Sequence, residues 1–270
     1  MERAITSCMN WTGSEERYLD TIDIEQVGKV TVGRYGGNTK AGAAKNEDGL
    51  LLWTRDEWEF AMLLDAHMTD QSARLLVETI AGEYETIKII LESEPVDHVF
   101  QTVENRLTSL LKSEEFLQKC SNVQGETACL ICLRAGNYLW WLSVGDCVVY
   151  LLHPELKALG QVMLNQRNYF EWIGKVNTFS LPVPCYSSGI RELRGGLNKI
   201  VMLTDGVLEF GDRPYENQEF FYKKMMDKSN QQAVKKVLND VQEKYGRDSA
   251  TILAWEIDNH SPAQYPSDMK

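Results

Sequence analysis

The chain has 270 residues, 43% of them hydrophobic, enough to bury a sizeable core, and 28 basic against 39 acidic residues give a formal charge of -11. An acidic balance of this size excludes a protein that holds nucleic acid by general electrostatic attraction. No apolar run approaches the ~20 residues that span a bilayer, and the opening MERAITSCMNWTGSEERYLD lacks the basic start and apolar centre of a secretory signal, so a soluble cytoplasmic protein without a membrane partner is expected.

GKVTVGRYGG (28–37) and GLLLWTRDEWEFAMLLDA (49–66) predict strands with turns in an antiparallel opening sheet. Over 71–117 the apolar period becomes helical: Leu75, Leu76, Thr79 and Ile80, then Ile87, Ile90 and Leu91, share helix faces, and Glu94-Pro95 divides the segment into two long helices. GETACLICLRAGNYLWWLSVGDCVVYLLH (125–153) predicts three strands of a meander, separated by RAGN and VGD, as a second sheet. An irregular, aromatic-rich region follows at about 156–194. NKIVMLTDGV (198–207) predicts a buried strand, 215–246 two helices, and RDSATILAWEI (247–257) a closing strand. No repeat, low-complexity tract or linker divides the chain, so 1–270 is expected to be a single domain. Each helical run must cover an apolar sheet face. The order therefore predicts an α+β fold, a four-layer α-β-β-α sandwich of two central antiparallel sheets flanked by helix pairs.

The cysteines, Cys8, Cys120, Cys129, Cys132, Cys147 and Cys185, are scattered, mostly in apolar surroundings that suit buried thiols in a reducing compartment. Cys129 and Cys132 form a C-x-x-C, but within a strand residues three apart point to opposite faces. No second cysteine pair or nearby histidine completes a zinc site, so the pair is read as structural.

Three strand ends carry an acid: Asp65 after FAMLL, Asp205 after IVMLT and Asp248 before SATILAW. A fourth acidic place, NEDG, sets Glu47 and Asp48 before LLLW. Each acid taken singly is most simply a turn residue bonding its own backbone. Together they suit hard cations, because Mg2+ and Mn2+ prefer oxygen ligands on a rigid frame, and two such ions can clamp a phosphate and activate a water.

The ordered blocks NEDG, LLDAH, GETA, SVGDC, LTDGV and DSATI resemble the metal-dependent serine/threonine phosphatases of the protein phosphatase 2C family, as a divergent bacterial member would, over a core of about 28–257. The resemblance implies hydrolysis of phosphoserine or phosphothreonine in a phosphoprotein substrate, by direct attack of a metal-bound water with no phosphoenzyme. It also implies two Mg2+ or Mn2+ ions and the same sandwich of sheets and helices. Asp65 would bridge both metals and Ala66 would offer its backbone carbonyl where the family has glycine. Asp205 and Asp248 would ligate the first metal, Glu47 would act on the second through a water, and Asp48 would help order the water shell. His67 would protonate the leaving oxygen, a role suited to a group that titrates near neutrality; the simpler reading is a polar turn residue beside Asp65. Gly145, Asp146, Gly125 and Thr127 are read first as turn and packing residues. Gly206 is expected to let backbone approach the metal site closely.

The pattern also departs from the family. DAHMTD replaces both glycines that follow the family's histidine with Met68 and Thr69, making a bulkier loop. Ala43 stands where an arginine usually grips the substrate phosphate, leaving Lys45 or Arg34 to supply charge. Val123 stands where many bacterial members carry an acid for a third metal, which argues for two ions. The 156–194 region lies where the family has a variable flap, and would either gate the site or pack on its own aromatics. These departures keep a second reading alive, a catalytically weak phosphatase-like module that binds a phosphoprotein or regulatory partner. A third is hydrolysis of a small phosphorylated metabolite.

Overall fold

The computed structural model describes residues 6–262, 264, 265 and 267. In chain order the strands and helices are β1 (Ser7–Thr12), β2 (Ile22–Val27), β3 (Val30–Tyr35), β4 (Asp48–Thr54), β5 (Trp58–His67), α1 (Gln71–Ala81), α2 (Tyr84–Ser93), α3 (Val96–Leu111) and α4 (Glu114–Asn122). Then come β6 (Glu126–Ala135), β7 (Tyr138–Val144), β8 (Val148–Leu152), α5 (Pro154–Ala158), β9 (Ile173–Gly174), β10 (Ser187–Glu192), β11 (Gly196–Leu203), α6 (Gln218–Met226), α7 (Asn230–Glu243) and β12 (Ala250–Asn259).

The strands form two antiparallel sheets. The first runs β1-β4-β5-β6-β7-β10, with the short β9 paired to the start of β6; the second runs β2-β3-β12-β11-β8. Helices α1 to α4 cover the outer face of the first sheet, and α6 and α7 cover the outer face of the second. The α-β-β-α sandwich expected from the element order is therefore present. Among the described residues no helix is long and apolar enough to cross a membrane.

The central strands are buried on both faces, which explains why β5 and β6 read as continuous apolar runs rather than alternating ones. On β6, Ala128, Leu130 and Cys132 face the second sheet, while Cys129, Ile131 and Leu133 face the helices. Cys129 and Cys132 thus point to opposite sides, as the strand period requires. Cys8 and Cys185 are exposed and the other four thiols are buried.

The same lack of alternation hid which sheet a strand joins. The expected opening sheet is split, with β3 in the second sheet and β4 and β5 in the first. The expected three-stranded meander is split as well: β6 and β7 pair, but the chain crosses at Gly145, whose φ is 88°, and β8 joins β11 instead. That crossing carries Asp146 between the sheets. Four helices also replace the two expected over 71–117. Pro95 does force its predecessor into extended backbone, with Glu94 at ψ 148°. Two quieter breaks lie at Gly82-Glu83 and at Ser113, whose hydroxyl caps α4 by accepting from Phe116 N at 3.2 Å.

Packing against the second sheet is close. A side chain on Gly33 of β3 would place its Cβ 2.3 Å from Val234 Cγ1 of α7, so only glycine lets this helix settle there. Inside the first sheet the buried Glu59 accepts from Arg134 Nε at 2.7 Å and lies 3.1 Å from Lys29 Nζ, so β5 and β6 are also joined by a paired charge.

Candidate metal centre

The acidic strand ends converge at one end of the two sheets. Asp48 opens β4 opposite Asp65 near the end of β5, Asp205 follows β11, Asp248 precedes β12, and Asp146 sits in the turn between β7 and β8. Carboxylate oxygens of Asp65, Asp146 and Asp205 lie within 4.8 Å of one another. Asp205 N also points at Asp65 Oδ2, at 3.4 Å. Glu47, Asp65, Ala66, His67 and Asp248 line a single cavity of about 530 Å3 with Ala43, Lys45, Met68, Gly206, Glu209 and Arg247. Five segments far apart in sequence thus bring their acids to one place.

Local backbone makes this possible. A Cβ on Gly206 would stand 1.9 Å from Ser249 O, so glycine lets the turn after β11 lie against the residue that follows Asp248. Ser249 Oγ accepts from Glu47 N at 3.3 Å, which ties the NEDG block to the start of β12. Asp48 lies behind the cavity wall, fully buried, where its Oδ2 accepts from Thr251 Oγ1 at 2.6 Å and Thr204 Oγ1 at 3.1 Å.

The electrostatics are those of several buried carboxylates held close together. Burial, then the neighbouring Asp205, pushes the Asp65 carboxyl well above the usual range, and burial does the same to Asp48. Asp205 is pushed up to about 7 by burial and by Asp248 and Asp146. Asp146 is raised by burial, partly offset by Arg167 and His67. Two oxygens, Asp48 Oδ1 and Asp146 Oδ1, are buried with no hydrogen-bond partner. An oxygen-rich set with an orphaned acceptor on Asp48 fits a hard hydrated cation, whose shell would meet that lone pair and whose charge would reverse the penalty on ionisation.

Asp146 belongs to this cluster, although the sequence reads it first as a turn former. It is both, and the signal was that VGD is another acidic strand end. Arg34, one of the two candidates to supply charge, lies elsewhere: it donates to Asp23 and Glu25 and stacks between Trp11 and Tyr18. Lys45 does reach the cavity, where its Nζ lies 2.6 Å from Glu47 Oε1 and 2.7 Å from Met68 O. Arg247, which carried no motif signal, also lines the cavity. Its Nε lies 3.8 Å from where a Cβ on Gly42 would be, beside Ala43. The bulkier loop after His67 keeps a backbone that suits glycine, since Met68 has a φ of 74° and its side chain is 70% exposed. The region 156–194 packs onto the site, with the Trp172 ring edge-on to His67 at 4.8 Å.

This α-β-β-α sandwich with its acidic strand ends is the fold of the phosphatase 2C type. Among solved structures the chain is similar to a bacterial serine phosphatase carrying an arginine-to-alanine substitution, with a TM-score of 0.63 at 10% identity over 95% of this chain and 99% of that one. It is similar to serine/threonine phosphatase Stp1 from Staphylococcus aureus, with a TM-score of 0.60 at 11% identity over 95% and 96%. A third is RsbX in complex with magnesium, with a TM-score of 0.55 at 12% identity over 88% and 100%. At these identities the likeness establishes the fold. No family model and no curated protein matches the sequence.

Proposed function

We propose that this chain is a metal-dependent phosphoprotein phosphatase of the cytoplasm, a divergent member of the phosphatase 2C family, that hydrolyses phosphoserine and phosphothreonine. The observation that carries the reading is the convergence of Asp65, Asp146 and Asp205 within 4.8 Å, lined by Glu47 and Asp248. Divalent Mg2+ or Mn2+ bound there would polarise the phosphate and lower the pKa of water.

Asp65, Asp205, Asp248 and Glu47, with the backbone carbonyl of Ala66, are the groups that would hold the ions, Asp65 being the one near enough to the other acids to be shared. Asp48, buried behind them with one oxygen unpartnered, would help order the shell around the ions. Lys45 and Arg247 at the rim draw in the phosphate. The oxygen of a water bonds to phosphorus as the bond from phosphorus to the serine or threonine Oγ breaks, and a ring N–H of His67 passes its proton to that Oγ; one proton of the water stays on the phosphate product and the other replaces the one His67 gave. Trp172, edge-on to His67, would steady the imidazole.

A binding module without turnover is favoured by one observation, the exposed Met68 standing over a rim that has Ala43 in place of a guanidinium. Hydrolysis of p-nitrophenyl phosphate and of a phosphothreonine peptide with Mn2+, with Mg2+ and with chelator separates the two. The phosphatase predicts turnover that disappears with chelator and in Asp65→Asn and Asp205→Asn. Folded protein that turns over neither compound with either metal would leave the binding module, and competition by small phosphate esters against the peptide tests the metabolite reading.

A further inference from the structure

The 156–194 region delivers one residue into the acidic cluster that the reading above does not use. Arg167 Nη2 lies 2.6 Å from Glu209 Oε1, 3.6 Å from Asp146 Oδ2 and 3.8 Å from Asp205 Oδ2, and Nη1 lies 3.7 Å from Glu216 Oε1. The side chain is only 12% exposed, and the Tyr169 ring covers the guanidinium at 5.0 Å. A guanidinium stays charged throughout the accessible pH range, so this is a fixed positive charge among four carboxylates.

Its position is built from both sides. Two residues before it, Asn165 accepts from Val149 N at 2.9 Å and donates to Ser143 Oγ at 2.9 Å and Cys147 O at 2.8 Å, all buried. One residue after it, Asn168 N donates to Gly145 O at 3.0 Å. The segment carrying Arg167 is therefore clipped to the same turn that carries Asp146, with bonds to residues on either side of that acid. Asp146 itself is 4% exposed and keeps one buried oxygen without a partner, so it would otherwise be a ready cation ligand.

We propose that Arg167 is a resident cation of the centre. It takes the side between Asp146 and Asp205, so that the site accepts two divalent ions toward Asp65, Glu47 and Asp248, and a third ion at Asp146 is excluded by charge and by space. This rests on the metal-centre reading. It adds that the count of ions is set by a residue of the flap, in addition to the acids themselves.

The test counts ions rather than turnover. Mn2+ stoichiometry is measured by calorimetry and by the electron paramagnetic resonance of free Mn2+, on the wild type and on Arg167→Lys, Arg167→Gln and Arg167→Gln/Asp146→Asn. The expected counts are two, two, three and two, with near-ultraviolet circular dichroism confirming the fold of each. Three ions on the wild type, or two on a folded Arg167→Gln, would overturn the proposal while leaving the metal centre standing; no ion on the wild type would remove both. Anomalous scattering from wild-type crystals soaked in Mn2+ gives an answer that does not depend on any variant folding. The guanidinium is expected between Asp146 and Asp205 with two peaks nearby, and a peak on Asp146 would refute the exclusion.

Discussion

Thr251 donates a 2.6 Å hydrogen bond to Asp48, and so pins the closing strand of the second sheet to the opening acid block of the first. Neither side chain is exposed, and Thr204, at the end of β11, shares the same carboxylate oxygen. Replacing Thr251 with valine keeps the shape and removes the donor from a buried carboxylate, which is expected to cost about 1–3 kcal/mol. Urea unfolding in the presence of chelator measures it. Thr251→Ser should recover most of the loss; a valine variant as stable as the wild type would mean the bond contributes nothing.

Asp65 is expected to be the most sensitive position of the centre, because it meets both Asp146 and Asp205 and would bridge two ions. Asp65→Asn should lower Mn2+-dependent hydrolysis more than about 100-fold, beyond the 10–100-fold typical of residues that only support a ligand. Calorimetry should show metal affinity falling in parallel. Retained affinity with lost turnover would move Asp65 from holding metal to positioning substrate.

Arg247 lines the cavity beside Ala43, and among the described residues its guanidinium makes no ion pair. Arg247→Ala is expected to raise KM for a phosphothreonine peptide about tenfold, equivalent to ~1.4 kcal/mol of binding, with kcat less affected. Adding Ala43→Arg in that background should bring KM back down, since a guanidinium there can again meet a phosphate edge. Steady-state kinetics on the two variants decides it.

Met68 holds a left-handed backbone conformation without being glycine, φ 74°, which costs about 1–2 kcal/mol. Met68→Gly removes that strain but loosens the unfolded chain, for a net gain of about 0.5–1 kcal/mol. A small rise in Tm is the expected reading. A fall would show that the exposed side chain, or the grip of Lys45 on the Met68 carbonyl, depends on methionine.

The layers of the fold were legible because strand and helix periods differ and because their order leaves few packings. The acids were legible because each stands at the end of an apolar run, where a short string such as LTDG or LLDAH is visible without knowing the fold. What stayed hidden is non-local. β3 and β8 are buried on both faces, so nothing in their own residues says which sheet they join. Asp146 read as a turn because it is one, and only the crossing after β7 shows that this turn lies among the other acids. Arg167 and Arg247 have no local signature; they matter through neighbours about 20 to 80 residues away, or farther. Gly82 and Ser113 are signals of the ordinary kind for helix ends, which an expectation built on Glu94-Pro95 alone missed.

Strand β12 lies in the middle of its sheet, between β3 near the beginning of the chain and β11 just before it. During synthesis β3 must wait, with one edge unpaired on that side, until more than two hundred further residues have been made. Asp248 arrives with the same strand. A ribosome-bound chain stalled before that point therefore has neither a closed second sheet nor the full set of converging acids, and the proposed metal centre would be completed only by a long-range pairing of the kind that forms slowly.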